Sequence, residues 1–419
     1  MRYSADWLED ARNAAPEERA TVADFQFWMN DQNVCLHLAD GALTDHVTIA
    51  LYSLAEGLAH DWWTIFGGRD RDISLMKHRS GFVTPDVRMS FDGAVFDIRS
   101  VQRTYENPGV SFWTVPGEVM SRSEAEAALS GFVGEVLVRL EKKQVIDTGA
   151  AFRWARVQES RTDPDEASFC ESAGALGLDP YQIDEGQTAS IEAAGELFEG
   201  EPLTEFLAGS AQANRSRLLE WVDAVERRPP YASRVSELRG RAREAAQRAP
   251  ARDNEEAWSL GYRRARELRR LLGFGQADRF TTFRSLAEKL GASRSFQVTK
   301  PVDGVQAIRR DEQDGVHIHL RSQHRLARQG AYLFGFTRAV GDAVCFPEPG
   351  RAPVNDLHSA YRQAAGRAFA AEFLAPIDEV RSMREDGRDT LSIADDLGVS
   401  TAVIERQEEN AARIDAVCA

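Results

Sequence analysis

The chain has 419 residues, too many for one ordinary hydrophobic core, so two or three domains are expected. Hydrophobic residues at 43% and charged residues at 28% fit a globular protein, while a formal net charge of −15 argues against a broad nucleic-acid footprint, which needs a basic face. A basic protein partner is easier for such a chain to meet. The four cysteines, Cys35, Cys170, Cys345 and Cys418, show no CxxC spacing, which speaks against a disulfide framework or zinc ribbon and predicts reduced thiols. The charged start has no apolar signal-peptide run and no stretch is long enough to span a bilayer. The expected compartment is therefore the cytoplasm, with no membrane partner.

Taken in order, Val34–Leu38 and Val47–Tyr52 are rich in strand formers. Ser53–Phe66 follows with Leu54, Leu58, Trp62 and Ile65 at helical spacing. Arg88–Val101 alternates around Asp92-Gly93 and predicts a hairpin. Ser121 and Glu124 form a capping box ahead of a helix whose apolar stripe runs from Ala128 to Leu140, placed as the close of an N-terminal α+β domain over 1–145. A helical middle region is expected over 146–279. Asp184 and Gln187 cap one helix there, Leu218 to Val225 line a second, and Trp258 to Leu272 line a third. The Arg/Glu-rich stretch 234–256 reads as a solvated helix and linker. The helix at Phe283–Leu290 ends at Gly291. In the last segment, 280–419, strands are expected at Val305–Ile308 and Gly315–Leu320. Helices are expected at about 326–344 and 356–374, and a closing helical pair at 391–397 and 401–414 turns at Gly398-Val399-Ser400. The fold class is α+β, mainly helical.

Two runs in this last third, Phe369-Ala370-Ala371-Glu372-Phe373-Leu374-Ala375-Pro376 and Ile393-Ala394-Asp395-Asp396-Leu397-Gly398-Val399-Ser400, carry a resemblance. In order, and with the preceding strand and helix, residues 280–415 resemble the ImmA/IrrE (DUF955-type) metallopeptidases. The resemblance implies a zincin-like C-terminal domain. It also implies an HExxH motif on the first helix, where two histidines bind zinc and the Glu is the general base, and a third carboxylate ligand on the next helix. Aligned on Gly341, the motif positions hold Arg338, Ala339 and Asp342, and the third ligand position holds Gln363. A fixed cation, a missing base, a lone carboxylate and a neutral amide predict a degenerate site with no zinc and no catalytic residue. No cofactor is expected.

Other chemistry is thinner. His317 and His319 alternate on a strand and share a face. With Asp342, or with His358 on the second helix and His324 nearby, they are the alternative metal donors, and the plainer reading makes them polar residues on an exposed sheet face. Cys345 and His358 are a conceivable Cys–His pair, though a buried structural thiol is the plainer reading. The closing helical pair has a helix-turn-helix outline. However, Glu405, Glu408 and Glu409 on its second helix oppose phosphate approach, so Leu397, Val399, Val403 and Ile404 are expected to pack it onto the domain. Trp62, Trp63, Trp113 and Phe112 are assigned mainly to packing, with a ligand pocket or partner surface as the alternative. Arg263, Arg264, Arg266, Arg269 and Arg270 are expected on a solvated helix face.

The resemblance implies a partner. Working members of the family cut helix-turn-helix repressors of mobile elements, phage or stress genes. A silent relative is expected to act as a regulatory or binding protein through a groove lined by Arg338, Asp342, Gln363, His317 and His319. A metal-dependent hydrolase with a non-standard site and an oligomeric structural or phage-defence component are the alternatives.

Overall fold

The computed structural model describes residues 1–9, 14–69, 72–106, 109–210, 215–226, 234–275, 278–280, 282–292, 298–299, 304–312, 315–321 and 329–418. The chain is mixed α and β, 53% helix and 20% strand. It divides into two compact units, Met1–Gln187 and Thr188–Ala419. The stretch expected as a helical middle region is shared between them. Among the described residues no helix is long and apolar enough to cross a membrane.

In the first unit the order is β1 (Arg2–Trp7), α1 (Pro16–Ala20), β2 (Val22–Met29), β3 (Gln32–Asn33), β4 (His37–Ala39), β5 (Ala42–Thr44), β6 (Val47–Ala50) and α2 (Tyr52–Gly67). Next come β7 (Ile73–Ser74), a 3-10 turn at Leu75–His78, β8 (Asp86–Phe91), β9 (Val95–Val101), β10 (Arg103–Tyr105), β11 (Val110–Phe112) and β12 (Glu118–Ser121). Three helices follow, α3 (Arg122–Lys142), α4 (Gly149–Ser160) and α5 (Pro164–Ala175), and α6 (Glu185–Gly195) crosses the boundary between units. The strands form three antiparallel sheets of four, β1-β2-β3 with β6 on β2, β10-β11-β4-β5, and β12-β9-β8-β7.

Local chemistry sets many of these boundaries. Asp92 Oδ1 accepts from the amides of Ala94 and Val95, and Gly93 takes φ 104°, so the β8–β9 turn closes where the sequence predicts. The Ser121–Glu124 capping box is present at the start of α3, and Asp184 and Gln187 cap α6 reciprocally. The Val34–Leu38 run is broken by a turn instead of forming one strand, because the Asn33 carboxamide accepts from Cys35 N at 2.8 Å and diverts the backbone from a ladder. Trp62, Trp63, Phe66 and Phe112 are buried in the core, whereas Trp113, expected to pack with them, is exposed because it follows Phe112 directly at the end of β11 and successive residues point to opposite faces.

Helices α2 and α5 approach backbone to backbone. A Cβ on Gly174 would lie 1.9 Å from Trp63 O, and one on Gly67 would lie 2.2 Å from Glu171 O. Neither obstacle is a side chain that can swing away. Gly174→Ala is therefore expected to destabilise this unit by about 1–3 kcal/mol, the range for overpacking, measured as a shift in urea midpoint at constant slope.

In the second unit the order is α7 (Gly200–Gly209), α8 (Arg215–Glu226), β13 (Arg234–Val235), α9 (Leu238–Arg248), α10 (Ala257–Leu271), α11 (Phe283–Lys289), β14 (Val298–Thr299), β15 (Val305–Glu312) and β16 (Gly315–Arg321). Then follow α12 (Gln329–Cys345), β17 (Arg351–Asn355), α13 (Tyr361–Leu374), α14 (Ile377–Glu385), α15 (Thr390–Leu397) and α16 (Thr401–Cys418). The sheet order is β13-β16-β15-β17, with β14 parallel to β16. Val316, Ile318 and Leu320 of β16 join Phe336, Val340, Phe369 and Phe373 in one core.

Strand β17 is an element the sequence reading lacked. It pairs with β15 and delays the second helix to Tyr361, so His358 lies in the connection before α13 and not on the helix. The arginine run on α10 is a solvated face only in part: Arg266 and Arg270 are exposed as expected, and Arg264 and Arg269 are not. Arg264 and Arg269 are buried, donating to Val344 O and to Phe373 O, and Arg266 pairs with Glu372. These side chains span the crossing of α10 with its neighbours, where Gly261 meets Ala365 O so closely that a Cβ would sit at 2.6 Å. The closing pair packs on the unit as expected. Leu397 and Ile404 are buried, Val399 and Val403 partly so, and Gly398 turns the chain at φ 68°. Gln407 donates to Ala375 O and to Glu372, which seats α16.

Candidate functional site

Helices α12 and α13 lie side by side, and their contact is set by size. A Cβ on Gly341 would come within 2.6 Å of the Phe369 ring, so the motif positions aligned on Gly341 and the run beginning at Phe369 touch directly. This packing brings Arg338 on α12 to Gln363 on α13, with Arg338 Nη2 donating to Gln363 Oε1 at 3.1 Å. Both residues are 3% exposed.

Gln363 uses its whole amide. Its Oε1 also accepts from Asn355 N at 2.9 Å, and its Nε2 donates to Pro353 O and to Glu205 Oε2, both at 2.8 Å. Asn355 in turn donates to Glu205 O at 2.9 Å. Glu205 comes from α7, which packs against β17 and places an acid over the site from outside the resembling region. Arg338 completes its contacts with Gln306 Oε1 at 3.0 Å and the Asn355 carbonyl, with Asp356 at 3.7 Å. Burial pulls its guanidinium down to about 9, so it remains a cation at neutral pH.

Asp342, one helical turn beyond Arg338, faces a different set. Arg362 grips both of its oxygens, with Nη2 at 2.9 Å from Oδ2, and Arg309 Nε lies 3.2 Å from Oδ2. Its lone pairs are spent on two guanidinium groups. Ala339 is fully buried and offers no base. The four positions at which the resemblance places zinc chemistry therefore hold a closed polar cluster. They do not line an open groove, which corrects that expectation. The physical reason is that α7 and β17 supply partners from a side the sequence reading left empty.

The alternative metal donors do not come together. His317 and His319 share a face, with ring centroids 6.5 Å apart, but both are buried and not on an exposed sheet side. They lie on the opposite face from Asp342. Directly paired residues share a face, Arg309 pairs with Ile318, and it is Arg309 that reaches Asp342. His317 Nε2 instead approaches Glu312 Oε2 at 3.4 Å. His358 is exposed, and its carbonyl accepts from Arg367. His324 lies outside the described residues. Among the described residues no group of three or more His, Cys, Asp or Glu side chains is arranged to hold a metal ion. Burial pushes the Cys345 thiol up to about 12, which leaves it protonated and a poor nucleophile.

Sequence reasoning missed Glu205, Asn355, Arg362 and Arg309. No spacing signals Glu205, which stands 158 residues before its partner Gln363. Arg362 is adjacent to Gln363, and the charge of Asp342 was a cue to look for a cation one turn from its facing helix.

No family model, no curated protein and no solved structure matches this chain.

Full burial pushes the Glu205 carboxyl up to about 8. Glu201 and Asp342 push the same way, against Arg362 and the Gln363 hydrogen bond. Its Oε1 has no hydrogen-bond partner among the described residues. In the unfolded chain the acid titrates near its ordinary 4.5. Between 4.5 and about 8 the native state holds the proton and the unfolded state does not, so this group's contribution is fully present below 4.5 and is lost as pH rises through 8. Glu205→Gln mimics the protonated acid. Its melting temperature relative to the parent is expected to rise steadily from pH 5 to pH 8, read by scanning calorimetry across about three pH units. A flat difference would place the Glu205 carboxylate in an ionised state throughout.

Proposed function

We propose that residues 280–419, within the second unit, form a catalytically silent relative of the ImmA/IrrE peptidases, and that the chain works as a binding or regulatory protein and not as a protease. One observation carries this reading. The residues at the degenerate ligand positions come from two adjoining helices, with Arg338 bonded to Gln363 and Gly341 against Phe369. These contacts are what supports the register inferred from the sequence motifs. The second support is chemical. A buried guanidinium, an apolar side chain, an aspartate held by two arginines and a neutral amide are a poor donor set for zinc, which takes His, Cys or carboxylate in a tetrahedron. The partner suggested by the resemblance is a helix-turn-helix transcriptional regulator, including one from a phage or mobile element. Because the cluster is buried, such a partner meets the surface around it.

Two measurements test the reading. Purified protein dialysed against zinc is expected to retain less than about 0.2 equivalents, where a closed structural or catalytic site fills. Restoring Arg338→His, Ala339→Glu, Asp342→His and Gln363→Glu together is expected to raise this toward about one equivalent, in protein whose circular dichroism matches the parent. Stoichiometric zinc in the unaltered chain would overturn the silent assignment, and a folded restored variant without zinc would overturn the register. The regulatory half is tested by co-elution with a helix-turn-helix regulator, and a failure to associate removes that partner.

A further inference from the structure

Charge is not spread evenly along this chain. Residues 1–187 hold 17 Lys and Arg against 31 Asp and Glu, a net −14, while residues 188–419 hold 34 against 35, a net −1. The acidity that argues against a nucleic-acid footprint therefore belongs almost wholly to the first unit. Within the second unit one element is strongly cationic. Helix α9, LRGRAREAAQR, carries four arginines and one glutamate in 11 residues.

Packing fixes which way this helix faces. Leu238, Ala242 and Ala245 are buried in the core of the unit. At about 100° per residue, Gly240 and Gln247 then lie on the opposite, outermost line. Both are exposed, and a Cβ on Gly240 would meet nothing within 4 Å, so this line is low, uncharged and open. Arginines border it on each side. Arg239 and Arg243, one turn apart, form one row, and Arg241 and Arg248 form the other. Arg243 and Arg248 are exposed, while Arg239 and Arg241 are half-buried.

The acids nearby do not cancel these rows. Glu244 pairs with Arg248 at 2.6 Å and lies 3.9 Å from Arg241, so one carboxylate serves two guanidinium groups. On the other row Arg239 Nη1 donates to a backbone oxygen, Glu312 O, at 2.8 Å, which holds the side chain in place without neutralising it. Arg243 makes no ion pair among the described residues. All four cations are Arg, whose planar fork takes phosphate oxygens in pairs.

We propose that α9 is a contact surface for duplex DNA, held through the phosphate backbone and without sequence readout. The two rows stand about one helix diameter apart, about 10–12 Å with side chains. The major groove of B-DNA is about 12 Å wide, so the rows reach the two strands that border it. The A-form groove is too narrow for this, and the helix has no aromatic side chain on which single-stranded bases could stack. This inference does not depend on the Arg338–Gln363 cluster.

The test uses the full chain and a fluorescent DNA duplex of about 20 base pairs and arbitrary sequence, read by anisotropy between about 50 and 200 mM salt. A dissociation constant of about 1–100 μM at physiological salt is expected. Four neutralised phosphates predict a log–log salt slope of about −3 to −4. Arg239→Glu with Arg243→Glu is expected to weaken binding at least about tenfold and to flatten the slope by about two. Arg243→Ala breaks no ion pair and is expected to flatten it by about one, in protein whose melting temperature matches the parent. Arg19→Glu, a charge reversal at an exposed residue of the first unit, is expected to leave affinity and slope unchanged. As competitors, polyglutamate, the single strand and an RNA duplex of the same length are each expected to be at least about fivefold weaker than unlabelled DNA duplex. No saturable binding, a slope unchanged in folded Arg243→Ala protein, an equal loss in Arg19→Glu, or equal competition by any of the three overturns the proposal.

Discussion

The second unit is organised around one side-chain amide. Gln363 has two donors and two acceptor lone pairs, and all four are used, toward Arg338, the Asn355 amide, Pro353 O and Glu205. Those partners come from α12, β17 and α7, so a single group on α13 holds four elements in register. A carboxylate at 363 has nothing to donate to Pro353 O and would set a second acid against Glu205. A hydrocarbon there would remove a partner from each of four buried polar groups at once. Because a buried polar network stabilises only when it is satisfied throughout, the identity of residue 363 constrains its neighbours as strongly as they constrain it.

The charges around this amide are arranged by the same rule. Arg338 is surrounded by carbonyl and amide oxygens, with one carboxylate further off, while Asp342 is enclosed by Arg309 and Arg362. Arg309 also pairs with Asp311 at 3.1 Å and donates to Phe346 O. Each ion thereby bridges sheet and helix. Buried ion pairs of this kind recover their desolvation cost only when the geometry is complete, and what they add is a unique arrangement more than raw stability. Glu205 meets the same constraint differently. With one oxygen unpartnered it takes up a proton and removes its charge.

The first unit depends on shape more than on charge. Trp62, Trp63 and Phe66 lie on one helix, and the helix is admitted close to α5 by glycines at 67 and 174. Phe66 then meets Phe91 and Phe96 of the β8–β9 hairpin with ring centroids 6.0 and 5.9 Å away, which joins that sheet to the helical layer.

The sequence by itself determined what is local. The capping boxes at Ser121 and Asp184, the Asp92-Gly93 turn, the Gly291 and Gly398 helix ends and the apolar stripe of α3 were all legible, because each depends on neighbours within a few residues. The identities at Arg338, Ala339, Asp342 and Gln363 were legible too. Tertiary structure alone decided what those residues do instead. Strand β17 has too weak a pattern to be seen without its partner β15. Arg264 and Arg269 of α10 are buried only because α12 and α13 pack against that helix and accept from them. Glu205 enters the cluster across 158 positions of chain. Burial and long-range hydrogen bonding are properties of the assembled unit, and no spacing along the chain encodes which distant group will satisfy a buried donor.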